Sequence, residues 1–112
     1  MGYKVILVPE FKRQLKRLSK RYKSIVNDVD NLFNSLLIDP FQGTEIRKGI
    51  RKVRISIKSK GRGKSGGGRV IYAAIIDDID SEITLINIYD KSEKVDLSES
   101  EWNEIFDKYG NL

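Results

Sequence analysis

Between Ile46 and Ile76 the chain carries ten lysines and arginines and no carboxylate: Arg47, Lys48, Arg51, Lys52, Arg54, Lys58, Lys60, Arg62, Lys64 and Arg69. Such a field is unfavourable to assemble on its own and becomes favourable when a polyanion neutralises it. The chain has no His and no Cys, so the usual neutral-pH proton carrier and the thiolate metal ligands are missing. Lysine and tyrosine remain for proton transfer, and arginine for charge stabilisation. Cleaving RNA needs three things: loss of the 2′-hydroxyl proton, positive charge on the phosphorane and a proton for the leaving 5′-oxygen. Lys52 and Arg54 stand two apart and point the same way from one strand. Arg69 opens the neighbouring strand, and Tyr89, Lys91 and Lys94 follow at the end of the last. Mutual repulsion among lysines favours release of one proton, which suits a general base. The same residues also serve plain phosphate binding.

A second cationic group lies in the glycine-rich stretch SKGRGKSGGG. Lys58, Lys60, Arg62 and Lys64 are candidate RNA-binding residues there, because glycines permit close backbone approach to phosphates. Gly63-Lys64-Ser65 resembles the tail of a nucleotide-binding P-loop. That motif, however, requires glycine where Lys58 stands and a helix where a strand is expected, so nucleotide hydrolysis is set aside. A flexible hairpin tip is compatible with the phosphate-contacting role. The aspartates Asp77, Asp78 and Asp80 read as solvated turn formers. Trp102, Phe106 and Tyr109 read as core-packing residues of a helix, and Tyr72 as a core residue of a strand. No metal or cofactor site is expected.

The elements that must position these groups follow from periodicity. Tyr3–Val8 is β-branched and reads as a strand. Pro9 starts a helix with Phe11, Leu15, Leu18 and Tyr22 on one stripe. Ser24 is a candidate N-cap for a second helix, which ends at Asp39-Pro40. Residues 41–49 read as a loop. Val53, Ile55 and Ile57 then alternate with Lys52, Arg54, Ser56 and Lys58, a strand with one buried and one basic face. Arg69–Ile76 reads as a central strand and Glu82–Tyr89 as the last. Ser98 and Glu101 have capping-box spacing at the start of a final helix. The expected class is α+β: one two-layer domain over residues 1–112, in the order β-α-α-β-β-β-α. Its antiparallel sheet has helices packed on one face and the basic face open to a ligand.

Charge is unevenly spread. The net charge is +5, yet residues 77–107 hold eleven acids against only Lys91 and Lys94. A basic middle and an acidic last third point to one polyanion face rather than a uniformly adhesive surface. No apolar run approaches the roughly 20 residues of a membrane span, and no leader-peptide pattern precedes Pro9. A cytoplasmic protein without a membrane role is the expectation.

The block RKVRISIKSKGRGKSGGGRVIY, followed by LINIYDKSEKVDLSESE, resembles the RelE/ParE superfamily of bacterial toxins, in particular its HigB-like RelE branch. The resemblance extends over nearly the whole chain, with FKRQLKRL fitting the first helix. It implies a RelE-like fold and a type II toxin–antitoxin toxin that cleaves mRNA in the A site of the small ribosomal subunit, without a metal. It also implies a cognate antitoxin as partner. Lys52 and Arg54 match the family's basic pair, Arg69 the arginine opening the next strand, and Lys91 a basic position after the last strand. One departure stands out: the catalytic tyrosine of the best-known members falls close to Leu97, so Lys91, Lys94 or Tyr89 must substitute for it. A ParE-like inhibitor of DNA gyrase and a non-catalytic RNA-binding module are the alternatives.

Overall fold

A computed structural model describes residues 3–61, 66–77 and 81–110. The elements are β1 (Tyr3–Leu7), α1 (Pro9–Ser19), α2 (Ile25–Ile38), β2 (Thr44–Arg47), β3 (Ile50–Ile55), β4 (Gly68–Ile76), β5 (Ser81–Asp90) and α3 (Glu99–Tyr109). A short 3₁₀ turn at Lys58–Lys60 follows β3. The sheet order is β1-β5-β4-β3-β2. β1 runs parallel to β5, and the other neighbours are antiparallel.

The architecture is α+β, as the periodicities predict, with a five-stranded sheet where four strands are expected. The additional strand, β2, occupies part of the segment read as a loop. Its signal is the dipeptide Lys48-Gly49. Arg47 pairs with Ile50 across it, and Gly49 takes a positive φ of 83°, a left-handed form that glycine adopts without strain in a tight turn. β2 itself is short and irregular in register, which hides its period-two pattern. The sheet is mixed rather than purely antiparallel, because the last strand, β5, returns beside the first, β1, and runs parallel to it.

Strand parity sorts the core into two clusters. Val53, Ile55, Val70, Tyr72, Ile83, Leu85 and Ile88 meet Phe11 and Leu18 of α1 and Ile25, Val29 and Leu36 of α2. Side chains of this size contribute about 1.5–3 kcal/mol each when fully buried. The alternate positions Ile50, Ile71, Ala73, Ile86 and Tyr89 gather with Leu97, Ile105 and the partly buried Trp102, Phe106 and Tyr109. So the α1/α2 pair packs on one face, while α3 shelters part of the basic face. A bulge in β5 makes both patterns possible: Ile71 pairs with Asn87 and Tyr72 with Leu85, so the parity shifts at Ile86.

Helix ends follow the sequence with one exception. Ser98 and Glu101 form the expected capping box. Ser24 precedes α2 but does not cap it. Its hydroxyl donates to Asp28 Oδ2 at 2.7 Å and accepts the Ser59 N–H at 2.8 Å. The residue therefore fastens α2 to the 3₁₀ turn after β3.

The other fastening is a buried charge. The Asp90 side chain is fully buried. It accepts from Lys60 Nζ at 2.7 Å, from Ser92 Oγ at 2.7 Å, from the Ser92 N–H at 2.9 Å and from the Tyr22 hydroxyl. Burial alone would raise its pKa; the hydrogen bonds from Lys60, Tyr22 and Ser92 outweigh this and hold the carboxyl far below the usual carboxylate range. A carboxylate with a depressed folded-state pKa stabilises the fold above its unfolded value of about 3.9, and the benefit fades as pH falls toward the folded value. Asp90→Asn is expected to cost about 3 kcal/mol at neutral pH, since it leaves Lys60 buried and uncompensated. Urea unfolding should show the gap between variant and wild type narrowing steadily below about pH 4; a gap independent of pH would refute the assignment.

Candidate nucleic-acid interface

β3 sets the cationic face by alternation. Val53 and Ile55 are buried against the helix pair, whereas Arg54 between them is exposed. Arg54 lies opposite Arg69 on β4, and Arg69 lies opposite Tyr89 on β5. One row thus crosses three strands with two guanidinium groups and a phenol on the same side. Directly opposed like charges are ordinarily disfavoured in a sheet. Arg69 is buried, with Nη1 donating to the Gly68 carbonyl at 2.9 Å. Arg54 is the exposed member through which an incoming phosphate can be met.

Lys52, one pleat back from Arg54, is half-buried, and its ammonium stands 3.4 Å from Asp96 Oδ1. The Tyr89 hydroxyl lies 3.5 Å from the same oxygen. Lys94 hangs 6.0 Å from the Tyr89 ring centroid and pairs with Glu101 at 3.1 Å. Five of the residues singled out from sequence, Lys52, Arg54, Arg69, Tyr89 and Lys94, are therefore brought to one patch. Two acids not foreseen there, Asp96 and Glu101, are interleaved with them. The lysines stand beside carboxylates rather than beside each other, so mutual repulsion does not supply a general base. Sequence reasoning missed Asp96 because only the turn after β5 carries it back over Lys52.

Tyr89 has the clearest electrostatic signature. Desolvation first, and the neighbouring Asp96 carboxylate second, push its pKa up to about 12. Its phenol keeps its proton at neutral pH and acts as a hydrogen-bond donor rather than a base. Glu101 is held below the ordinary range, chiefly by the Ser98 N–H and also by Lys94. The α3 aromatics close the patch. Trp102 stacks on Phe106 with centroids 5.5 Å apart, Lys52 lies 6.0 Å from the Trp102 ring and the Arg47 guanidinium 3.9 Å from the Phe106 ring.

The remaining candidates are placed differently. Lys91 is half-buried on the turn after β5, and its N–H donates to the Gly67 carbonyl at 3.1 Å. Lys58 is exposed, and its N–H donates to Asp28 Oδ2. Lys60 is a correction: the sequence places it on an arm reaching for phosphate, and its ammonium is instead buried against Asp90. Arg62 and Lys64, with the rest of the P-loop-like segment, lie outside the described residues. The glycines that follow are not simply a flexible tip. A Cβ on Gly67 would come within 2.1 Å of the Ile55 carbonyl oxygen, and one on Gly68 within 2.6 Å of the Tyr89 carbonyl oxygen. These two glycines let β4 begin flush against its neighbours. Tyr72 is a core residue, as read, with its hydroxyl donating to the Pro40 carbonyl at 2.8 Å. Leu97 is buried in the second cluster.

No family model matches the chain. Among the described residues no helix is long and apolar enough to cross a membrane.

The Tyr89–Asp96 contact can be tested by phenolate absorbance. Desolvation raises the phenol most and the Asp96 carboxylate adds to it, so Asp96→Asn should bring its titration part of the way down from about 12, with the Tyr89→Phe difference spectrum identifying the band. An unmoved titration would show that Asp96 does not reach the phenol.

Proposed function

We propose that the chain is the toxin of a type II toxin–antitoxin pair, an endoribonuclease acting on mRNA in the ribosomal A site. In this reading it works in the cytoplasm and is restrained by a cognate antitoxin. The observation that carries the reading is the Arg54–Arg69–Tyr89 row on a sheet face otherwise bordered by Lys52 and Lys94. The sequence resemblance to the HigB-like branch falls on the same residues.

The row suits an in-line attack on a phosphodiester. The 2′-oxygen forms a bond to phosphorus as the bond from phosphorus to the 5′-oxygen breaks, leaving a 2′,3′-cyclic phosphate. Arg54 and Arg69 supply fixed positive charge to the equatorial oxygens. Tyr89 is buried beside them with its hydroxyl 3.5 Å from Asp96 Oδ1, and donates to the same centre once a phosphate displaces that acid. The proton transfers, removal of the 2′-proton and delivery of one to the leaving 5′-oxygen, fall to the end of β5. Lys91 and Lys94 are the candidates, with Lys52 positioning the phosphate from the opposite side.

Purified protein added to ribosomes translating a defined mRNA should produce new 5′ ends, mapped by primer extension. Arg54→Ala removes an exposed clamp and should slow cleavage by about a hundredfold. Arg69→Ala should do likewise, with circular dichroism verifying the fold. Full activity in the Arg54 variant would displace the site from this face. Salt-dependent RNA binding without new ends would instead make the protein a non-catalytic RNA-binding module. DNA breaks without mRNA cleavage would favour gyrase as the target.

A further inference from the structure

The acidic last third of the chain has only a minor part in the cationic face, and the structure puts another share of it beside a groove. β1 pairs with β5 from Ser81 to Leu85, and the Val8 N–H to the Leu85 carbonyl, at 3.3 Å, continues that ladder by one bond. The chain then turns into α1 at Pro9, while β5 continues to Asp90. Where β1 departs, a cavity of about 420 Å³ opens, floored by Val8, Ile86, Asn87, Ile105 and Tyr109. This volume is within the roughly 300–1,000 Å³ of ligand-binding clefts.

Two features show what kind of group the groove lacks. Asn87 is only 7% exposed, and its Oδ1 is buried without a hydrogen-bond partner; a buried carboxamide oxygen in this condition is unfavourable until a donor arrives. One residue further along, α1 already substitutes for the missing strand: Gln14 Oε1 accepts the Ile88 N–H at 2.9 Å. A carboxamide is the side-chain equivalent of a peptide group, so an amide lying along β5 is the natural complement of Asn87. α1 also begins here with no side-chain cap, which leaves its first-turn N–H groups suited to a carbonyl.

The rim sets the charge of the occupant. Glu10, Glu101 and Glu104 line it against Arg13 and Lys108. Arg13 is paired with Glu10, and Lys108 with Glu104 at 3.6 Å. Glu101 is held by Lys94, so the ion pairs of the rim balance and the negative excess comes from Glu99 and Asp107 on the same helix. A cationic segment is drawn to such a rim and an acidic one repelled.

We propose that this groove docks an extended, lysine- or arginine-bearing segment of a partner protein. One of its backbone amides pairs with the Asn87 carboxamide, and its cation meets Glu10 and Glu104. The site is separate from the Arg54–Arg69–Tyr89 row and stands whether or not the chain cleaves RNA.

The test uses the full chain, labelled with ¹⁵N, and three probes: an acetylated Val-Lys-Val-Arg-Val-Lys amide, its all-glutamate counterpart and spermidine. The basic peptide should saturably shift the Asn87 side-chain amide and the backbone amides of Ile86–Ile88. Asn87→Ala should weaken binding about tenfold through loss of the paired amide. The exposed-site variant Glu104→Lys should weaken it several-fold while leaving RNA cleavage unchanged. The proposal is overturned by any of four results: no saturation by roughly 1 mM peptide, shifts centred away from Ile86–Ile88, equal binding of the glutamate peptide, or spermidine producing the same shifts as tightly. Concentration-dependent shifts of these amides without any probe would equally overturn it, assigning the groove to a second copy of the chain.

Discussion

The structure depends on one buried carboxylate. An ionised group taken out of water is unfavourable unless every lone pair finds a donor, and Asp90 finds them on three parts of the chain. Tyr22 comes from the α1–α2 connection, Lys60 from the turn after β3, and Ser92 from the turn after β5. None of these segments is long enough to be held by its own secondary structure. The shared carboxylate gives them a common position, and β-strand alternation then does the rest. With Asp90 turned toward the helix pair, its neighbour Tyr89 is turned toward the cationic face. The orientation of the phenol thus follows from the burial of the adjacent acid.

The same constraint explains why the middle of the chain is less uniformly positive in three dimensions than along the sequence. Lys60 is removed from the surface by Asp90, Lys52 faces Asp96 and Lys94 faces Glu101. The acids responsible all come from the C-terminal third. Surface pairs such as Lys52–Asp96 contribute little net stability, which makes them exchangeable: a phosphate can compete with Asp96 for the lysine. Arg54 differs, because it stands exposed in its row and faces another guanidinium, Arg69, across the strand pair. This contrast separates Lys60, which is buried in an ion pair, from Arg54, which is left exposed on the cationic face.

Much of this was legible in the chain. The alternation of Val53 and Ile55 with Lys52 and Arg54 predicts which side chains share a face, because strand parity is a local property. The capping box at Ser98 and the proline at the start of α1 are local too. What escaped notice depends on tertiary return. Lys60 reads like any loop lysine until the end of β5 brings Asp90 against it. Asp96 reads as a polar residue in a linker until the turn carries it over Lys52 and Tyr89. β2 was hidden by its brevity, and the mixed sheet by a parallel pairing between the first strand and the last. The bulge at Ile86 reverses the parity of β5, so a strict period-two reading places Asn87 and Ile88 on the wrong faces.

The glycine run shows how one composition can serve two physical ends. At its far root, Gly67 and Gly68 are buried where any side chain would strike the Ile55 and Tyr89 carbonyls, and the Gly67 carbonyl takes the Lys91 N–H. At the near root, Lys60 is fixed to Asp90. Both roots are held at the same end of β5, within the few residues that also carry Tyr89, Lys91 and Lys94. Loop-closure entropy rises with the separation of two fixed ends along the chain, so fixing both roots close together keeps the cost of the connection small. The glycines at the far root are therefore explained by packing alone, without reference to any ligand. An argument for phosphate recognition in this region has to rest on Arg54, Arg69 and their neighbours on the sheet, where like charges oppose each other across β3 and β4 against the ordinary preference of a strand pair.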